Sequence, residues 1–191
     1  MSSLGNSEKR LLLALARRAL TLAVQSSASL EEFPQDEALQ QPGGAFVTLH
    51  HRKRLRGCVG QLPSKDSLAA VVAHCAMSAA LEDPRFEPVR LDELPGIEIE
   101  LSVLSRLTEA AKEQIEPGKH GLMVSCGWKR GVLLPQVATQ FHWGATRFLE
   151  ETCVKAGLEP NAWKDESTRV QTFTAEVFSE ADFPLLDTQL S

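Results

Sequence analysis

A cysteine held between two glycines inside an extended apolar run is the feature that most restricts this chain. Residues Phe46 to Leu62 read FVTLHHRKRLRGCVGQL, two extended segments either side of a basic turn, the second being Leu55-Arg56-Gly57-Cys58-Val59-Gly60. Glycine weakens a strand interior unless a bulge, a closely approaching backbone or a ligand needs the space. The stretch therefore predicts a hairpin of Ala45–Leu49 with Leu55–Val59, and a site where something comes close to Cys58. Because His51–Arg54 contains no Asn-Gly or Asp-Gly pair, a connection looser than a two-residue turn is expected.

The chain of 191 residues is long enough to bury a core without covalent staples, and its 43% hydrophobic and 24% charged residues lie near globular averages. Its formal charge of −5 argues against a general nucleic-acid binder, while leaving room for a local basic patch. Cys58, Cys75, Cys126 and Cys153 form no CxxC pair and no framework spacing, so they read as free thiols of a reducing compartment. The apolar run Leu11–Ala16 is too short, and too closely bounded by Glu8 and Arg17-Arg18, for a signal peptide or a membrane span. A cytoplasmic protein with no membrane association is expected.

Helical spacing predicts an amphipathic helix from Glu8, with Leu11, Leu12, Leu15, Ala19, Leu22 and Ala23 inward. A linker, Phe33–Gly44, leads into the hairpin. A second helix, capped by Ser64 or Asp66, carries Leu68, Val71, Val72, Cys75, Ala76 and Ala79 on one stripe. Asp83-Pro84-Arg85-Phe86-Glu87-Pro88 describes an ordered turn. Ile97–Leu104 alternates as a half-buried strand, which gives Glu98 and Glu100 an ordinary exposed position instead of a catalytic one. A hairpin about Gly127–Gly131, a short helix at Pro135, a helix over Ala145–Ala156 stopped by Gly157, and one last strand over Arg169–Phe178, with Phe173, Ala175 and Val177 on one side, complete the chain. Strand pairs and helices come in blocks, which predicts an α+β fold with a mostly antiparallel sheet and packed helices.

The segments FVTL, LRGCVG, DPRFEP, IEIELSVL, GKHGLMV, GVLLPQVA, FHW and FLEETCVKAGL, the last leading to AW, follow one another in this order. The ordered set resembles the successive blocks of the AMMECR-type domain family, whose bacterial members are called AmmeMemoRadiSam system protein A. The resemblance implies one domain over residues 8–180 with flanking tails 1–7 and 181–191, and a fold with a larger and a smaller lobe. It places the RGCxG block in the region of a cleft and carries no settled activity. It also implies a pathway shared with a Memo-like protein, similar to extradiol dioxygenases, and a radical SAM protein. The chain departs from the family pattern at Lys53-Arg54, where a glycine is frequent, and at Glu87, where a proline is. Gln140 and Gly144 stand where carboxylates are common.

Cys58 has two readings. A thiolate beside Arg56 and glycine-flanked backbone N–H groups suits a nucleophile, whereas a free cysteine is equally a small apolar filler. A nucleophile needs a base, and the candidates are His50 or His51 on the partner strand, which point to opposite faces, and His142 from a distant block beside Trp143. Arg56 suits a carboxylate or phosphate ligand, or else a structural salt bridge with Asp83 or Glu87. Gly57 and Gly60 shape the place, and Asp83 and Arg85 serve either a ligand or the hairpin. Trp143 is the aromatic candidate for binding. No CxxC or HxxxH spacing supports a metal site, and neither a phosphate loop nor a dinucleotide fingerprint occurs, so no metal and no cofactor are expected.

Arg52-Lys53-Arg54 and Trp128-Lys129-Arg130 are the basic stretches that nucleic acid would use, and solvated hairpin turns account for them better. Two function classes stay open. One is an enzyme or enzyme subunit acting on a small organic substrate at Cys58 and Arg56. The other is a non-catalytic module that holds a peptide terminus or a partner's surface in the same place.

Overall fold

The computed structural model describes residues 4–26, 30 and 32–183. The chain divides into two units, Met1–Val103 with Glu176–Ser191, and Leu104–Ala175. Each has its own sheet and core, and both sheets pair antiparallel in the hairpins that define them. The fold is α+β.

In the first unit, α1 (Asn6–Ser26) lays Leu12, Leu15, Ala16, Ala19, Leu20 and Ala23 into the core. The helical spacing predicts Leu12, Leu15, Ala19 and Ala23 among these, whereas Leu11, expected inward, is 38% exposed and Leu22 is only half-buried, because the buried stripe is centred on Leu12, Ala16 and Leu20. Each fully buried leucine contributes roughly 1.5–3 kcal/mol of transfer free energy. The linker contains one turn of helix, α2 (Glu37–Gln40), which the sequence reading leaves as coil; Asp36 caps it by accepting from the Ala38 and Leu39 N–H groups. Strands β1 (Gly44–His51) and β2 (Arg54–Gln61) form the expected hairpin. Helix α3 (Leu68–Leu81) is capped by Ser67, beyond the expected Ser64 or Asp66, and buries Leu68, Val71, Val72, Cys75, Ala76 and Ala79. After a 3₁₀ turn at Leu91–Gly96, β3 (Ile97–Leu104) follows its predicted bounds and sits inside the sheet.

The hairpin connection is tighter than expected. Arg52 and Lys53 alone form the turn, at φ 52° and 62°, so two ordinary residues occupy the left-handed region that Asn-Gly would fill at little cost. The register then slips between Leu49 and His50: Leu49 faces Gly57 while His50 faces Leu55, leaving Arg56 as the extra residue of a bulge. The bulge, absent from the sequence reading, sets which way Arg56 leaves the strand.

In the second unit, β4 (Thr108–Glu109), β5 (Gly121–Cys126), β6 (Lys129–Leu133) and β7 (Arg169–Phe173) make a sheet of order β4-β7-β5-β6. The β5–β6 turn is Gly127-Trp128 alone, with Lys129 and Arg130 already in β6. Helices α4 (Pro135–Gln140) and α5 (Ala145–Lys155) pack Ala138, Phe148 and Leu149 with Leu122 and Ile115. Gly157, at φ 70°, ends the last helix as expected.

The last predicted strand is two. Strand β7 stops at Phe173, and β8 (Ala175–Ser179) belongs to the first sheet, which runs β2-β1-β3-β8. Thr174 lies between them and is held by paired contacts with Ser105, one through the Ser105 N–H and one through its Oγ. The break changes the inward phase, so Phe178 is buried and Val177 is 50% exposed, against the single alternation expected. A change of sheet leaves no mark in a continuous apolar alternation. Among the described residues, no helix is long and apolar enough to cross a membrane.

Candidate functional site

Strand β2 is an edge of its sheet, and the residues that follow α3 run beside it. Register pairs Cys58 with Thr48, and Thr48 Oγ1 donates to Cys58 Sγ at 3.5 Å. On the open edge, the Cys58 N–H donates to Asp83 Oδ2 at 2.8 Å, and the Cys58 carbonyl accepts from Arg85 Nη2 at 3.2 Å. Asp83 and Arg85 thus occupy the acceptor and donor places of a missing neighbouring strand, which satisfies a backbone that would otherwise invite another chain.

Asp83 is buried at 5% exposure yet fully partnered, because it also accepts from Arg85 Nε at 2.9 Å and from the Arg85 N–H at 3.1 Å. The Arg85 side chain opposite is 54% exposed. The guanidinium of Arg85 holds the Asp83 carboxyl well below the usual carboxylate range. Asp83 in turn raises Arg85, chiefly through the side-chain hydrogen bonds between them. What results is a half-buried sulfur beside a cation that keeps access to solvent.

Arg56 is committed to other partners. Its Nε and Nη2 reach Glu93 Oε1 and Oε2 at 2.8 and 3.0 Å, and Nη1 and Nη2 donate to the carbonyls of Glu87 and Pro88 at 2.8 and 3.2 Å. The salt-bridge partner is therefore neither carboxylate expected from the sequence: Asp83 is taken by Arg85, and Glu87 offers its backbone. The Arg56 guanidinium draws the Glu93 carboxyl down to about 2. This fork, 15% exposed on the arginine side, ties the bulge of β2 to the 83–90 segment and so sets where Arg85 stands.

The room left by the two glycines is filled by protein. A Cβ on Gly57 would lie 2.1 Å from the Ala79 carbonyl oxygen of α3, and one on Gly60 2.1 Å from Cδ1 of the Phe46 ring across the hairpin. Close approach of a helix backbone and of a ring accounts for both.

The candidate bases are dispersed. Alternation along β1 puts His50 on the face of Thr48 and His51 on the other, where the His51 ring lies against Gly96. His142 and Trp143 belong to the second unit, where His142 is exposed at φ 55° and Trp143 stacks on Phe141 at 4.9 Å. Trp143 also packs against the second core. Arg52, Lys53 and Arg54 are exposed at the hairpin tip, and Trp128 is 87% exposed in the other unit. Among the described residues, no three histidine, cysteine or acidic side chains gather in a way that could hold a metal ion.

Two residues of the site escaped the sequence reading. Thr48 was legible in principle, since a two-residue turn with one bulge places it opposite Cys58. Glu93 carried only a faint signal, the Arg90-x-x-Glu93 spacing by which its carboxylate also accepts the Arg90 N–H at 2.9 Å.

A family model described as AMMECR1 matches residues 13–178. A protein of Methanothermobacter thermautotrophicus is 41% identical over 186 residues, covering 93% of this chain and 96% of its own. Protein PF1979 of Pyrococcus furiosus is 42% identical over 183 residues, covering 88% of this chain and 86% of its own. The crystal structure of an uncharacterised protein, PH0010 from Pyrococcus horikoshii, superposes with a TM-score of 0.76 at 40% identity, over 88% of this chain and 89% of that one.

Proposed function

The chain belongs to the AMMECR1 family, and we propose that in it Cys58 is the reactive group of an enzyme or enzyme subunit acting on a small organic substrate with an anionic group. One observation carries the reading: the half-buried Cys58 sulfur stands where Arg85, held by Asp83 and donating to the Cys58 carbonyl at 3.2 Å, keeps its side chain 54% exposed. In an attack on a substrate carbonyl, the sulfur forms a bond to carbon and the π pair moves to oxygen. The Cys58 N–H is committed to Asp83, so Arg85 and not the backbone meets the negative oxygen. The thiol proton leaves to solvent. On the family resemblance, the protein works in a pathway with Memo-like and radical SAM proteins, and residues 8–180 act as one functional domain.

A second reading has its own support. Because no hydrogen bond joins His50 or His51 to Cys58 among the described residues, the same residues suit a non-catalytic module whose exposed arginine holds a peptide terminus or a partner's carboxylate.

Alkylation of the full chain with iodoacetamide, read peptide by peptide by mass spectrometry, separates the two. Burial pushes the Cys75 thiol up to about 11 and raises Cys153 as well, so both stay unmodified at neutral pH. Cys126, half-buried like Cys58, is the internal comparison. The first reading expects Cys58 to react about tenfold faster than Cys126, and several-fold slower after Arg85→Gln. Equal rates at Cys58 and Cys126 would leave the binding module.

A further inference from the structure

Helix α1 has a second face that the core does not use. Ser7, Leu11, Ala14, Arg18, Thr21 and Gln25 follow one another at alternating steps of four and three residues, the spacing of a seam between two packed helices. All six line one groove of about 1360 Å³, whose far wall is Leu94 and Pro95 of the 3₁₀ turn together with Phe183. Ala14 and Thr21 are small and stand either side of Arg18, so a second helix can approach closely at those two positions with Arg18 between them. Leu11, 38% exposed, supplies an apolar edge.

The charge of this face opposes that of the chain. The whole sequence carries −5, yet three arginines line the groove, and among the described residues Arg17 alone of these is neutralised, by the carboxylate of Glu180. Arg10 lies over the Phe183 ring at 5.1 Å, and neither it nor Arg18 forms an ion pair among the described residues. The two stand eight residues apart, roughly 12 Å along the helix.

We propose that this face of α1 is a docking surface for an acidic amphipathic helix of a partner protein. Leucine-sized side chains of the partner enter beside Ala14, and carboxylates flanking them meet Arg10 and Arg18. A second copy of this chain fits poorly there, since α1 against α1 sets arginine against arginine, which opposes association. The seam has few large apolar residues, so affinity depends on the charges and the complex is a transient one.

The test uses the full chain and a fluorescein-labelled helical peptide of about 21 residues, the length of α1, with leucines at heptad spacing and glutamates beside them. A control peptide carries lysine for every glutamate. Fluorescence anisotropy is expected to show the glutamate peptide binding about tenfold tighter than the lysine peptide, and losing about tenfold to R10E/R18E. Ala14→Trp, which fills the seam without changing charge, is expected to weaken it comparably, with circular dichroism and melting temperature verifying that each variant is folded. Equal binding of the two peptides, or glutamate-peptide binding indifferent to R10E/R18E, would overturn the proposal. So would light scattering that showed a dimer dissociated by Ala14→Trp, because the occupant would then be a second copy.

Discussion

The carboxylate of Asp83 accepts the backbone N–H of Cys58 at 2.8 Å across 25 residues of sequence, while the arginine two residues later closes on the carbonyl of the same cysteine. One three-residue segment, Asp83-Pro84-Arg85, thus performs for β2 what a neighbouring strand would, while the sulfur takes its hydrogen bond from Thr48 on the partner strand. Removing the carboxylate strands a backbone donor and frees Arg85. Asp83→Ala is expected to cost ~2 kcal/mol in urea unfolding, within the usual range for an abandoned buried donor. Asp83→Asn, which keeps an acceptor, is expected to cost about half as much.

Glu93 gives a sharper pH signature. Its carboxyl lies at about 2 in the folded chain against an ordinary 4.5, a depression caused first by the hydrogen bonds from Arg56. A depressed carboxyl contributes stability that is fully present above the unfolded value and is lost as pH falls through the folded one. Stability should therefore fall between pH 4.5 and about 2, the window set by Glu93. Asp83, lowered by Arg85, adds to the fall in the same sense. Urea midpoints measured across this range should decline less steeply in Glu93→Gln, which itself loses ~2 kcal/mol at neutral pH.

The two glycines of the LRGCVG segment should differ in tolerance. At Gly57 a methyl would meet the Ala79 backbone oxygen, which cannot move without shifting α3, and Gly57→Ala is expected to cost ~3 kcal/mol or to prevent folding. At Gly60 the obstacle is the Phe46 ring, and Gly60→Ala is expected to cost ~1–2 kcal/mol. Phe46→Ala should relieve part of that cost, giving a coupling of about 1 kcal/mol in a double-mutant cycle.

The turn offers a stabilising change. Arg52 and Lys53 both hold positive φ, where a side chain is strained. The pair Arg52→Asn with Lys53→Gly is expected to raise stability by ~1 kcal/mol, seen as a higher urea midpoint, without altering the alkylation rate of Cys58.

Most of the fold was legible along the chain. The face of α3, most of the face of α1, the bounds of β3, and the stop at Gly157 follow from periodicity, capping and glycine chemistry, all of which act within a few residues. Two extended apolar runs either side of a basic turn likewise marked the hairpin that carries Cys58. The site was legible only as a place. Arg85 and Asp83 were visible as a charged turn, but whether they served a ligand or the hairpin depended on which backbone lay beside them.

By itself, the sequence determined the family, the α+β class, and the presence of a cysteine in a glycine-bounded strand, because each is written in local pattern or in the order of segments. Tertiary structure decided what surrounds that cysteine. Glu93 claims Arg56 from 37 residues away, a two-residue turn with a bulge sets Thr48 against the sulfur, and the chain changes sheets between Phe173 and Ala175. These outcomes depend on competition between partners distant in the chain, where charge, register and close approach are settled only when the strands meet. The glycines that first suggested an approaching ligand make the same point, for a helix carbonyl and a phenyl ring fill their space.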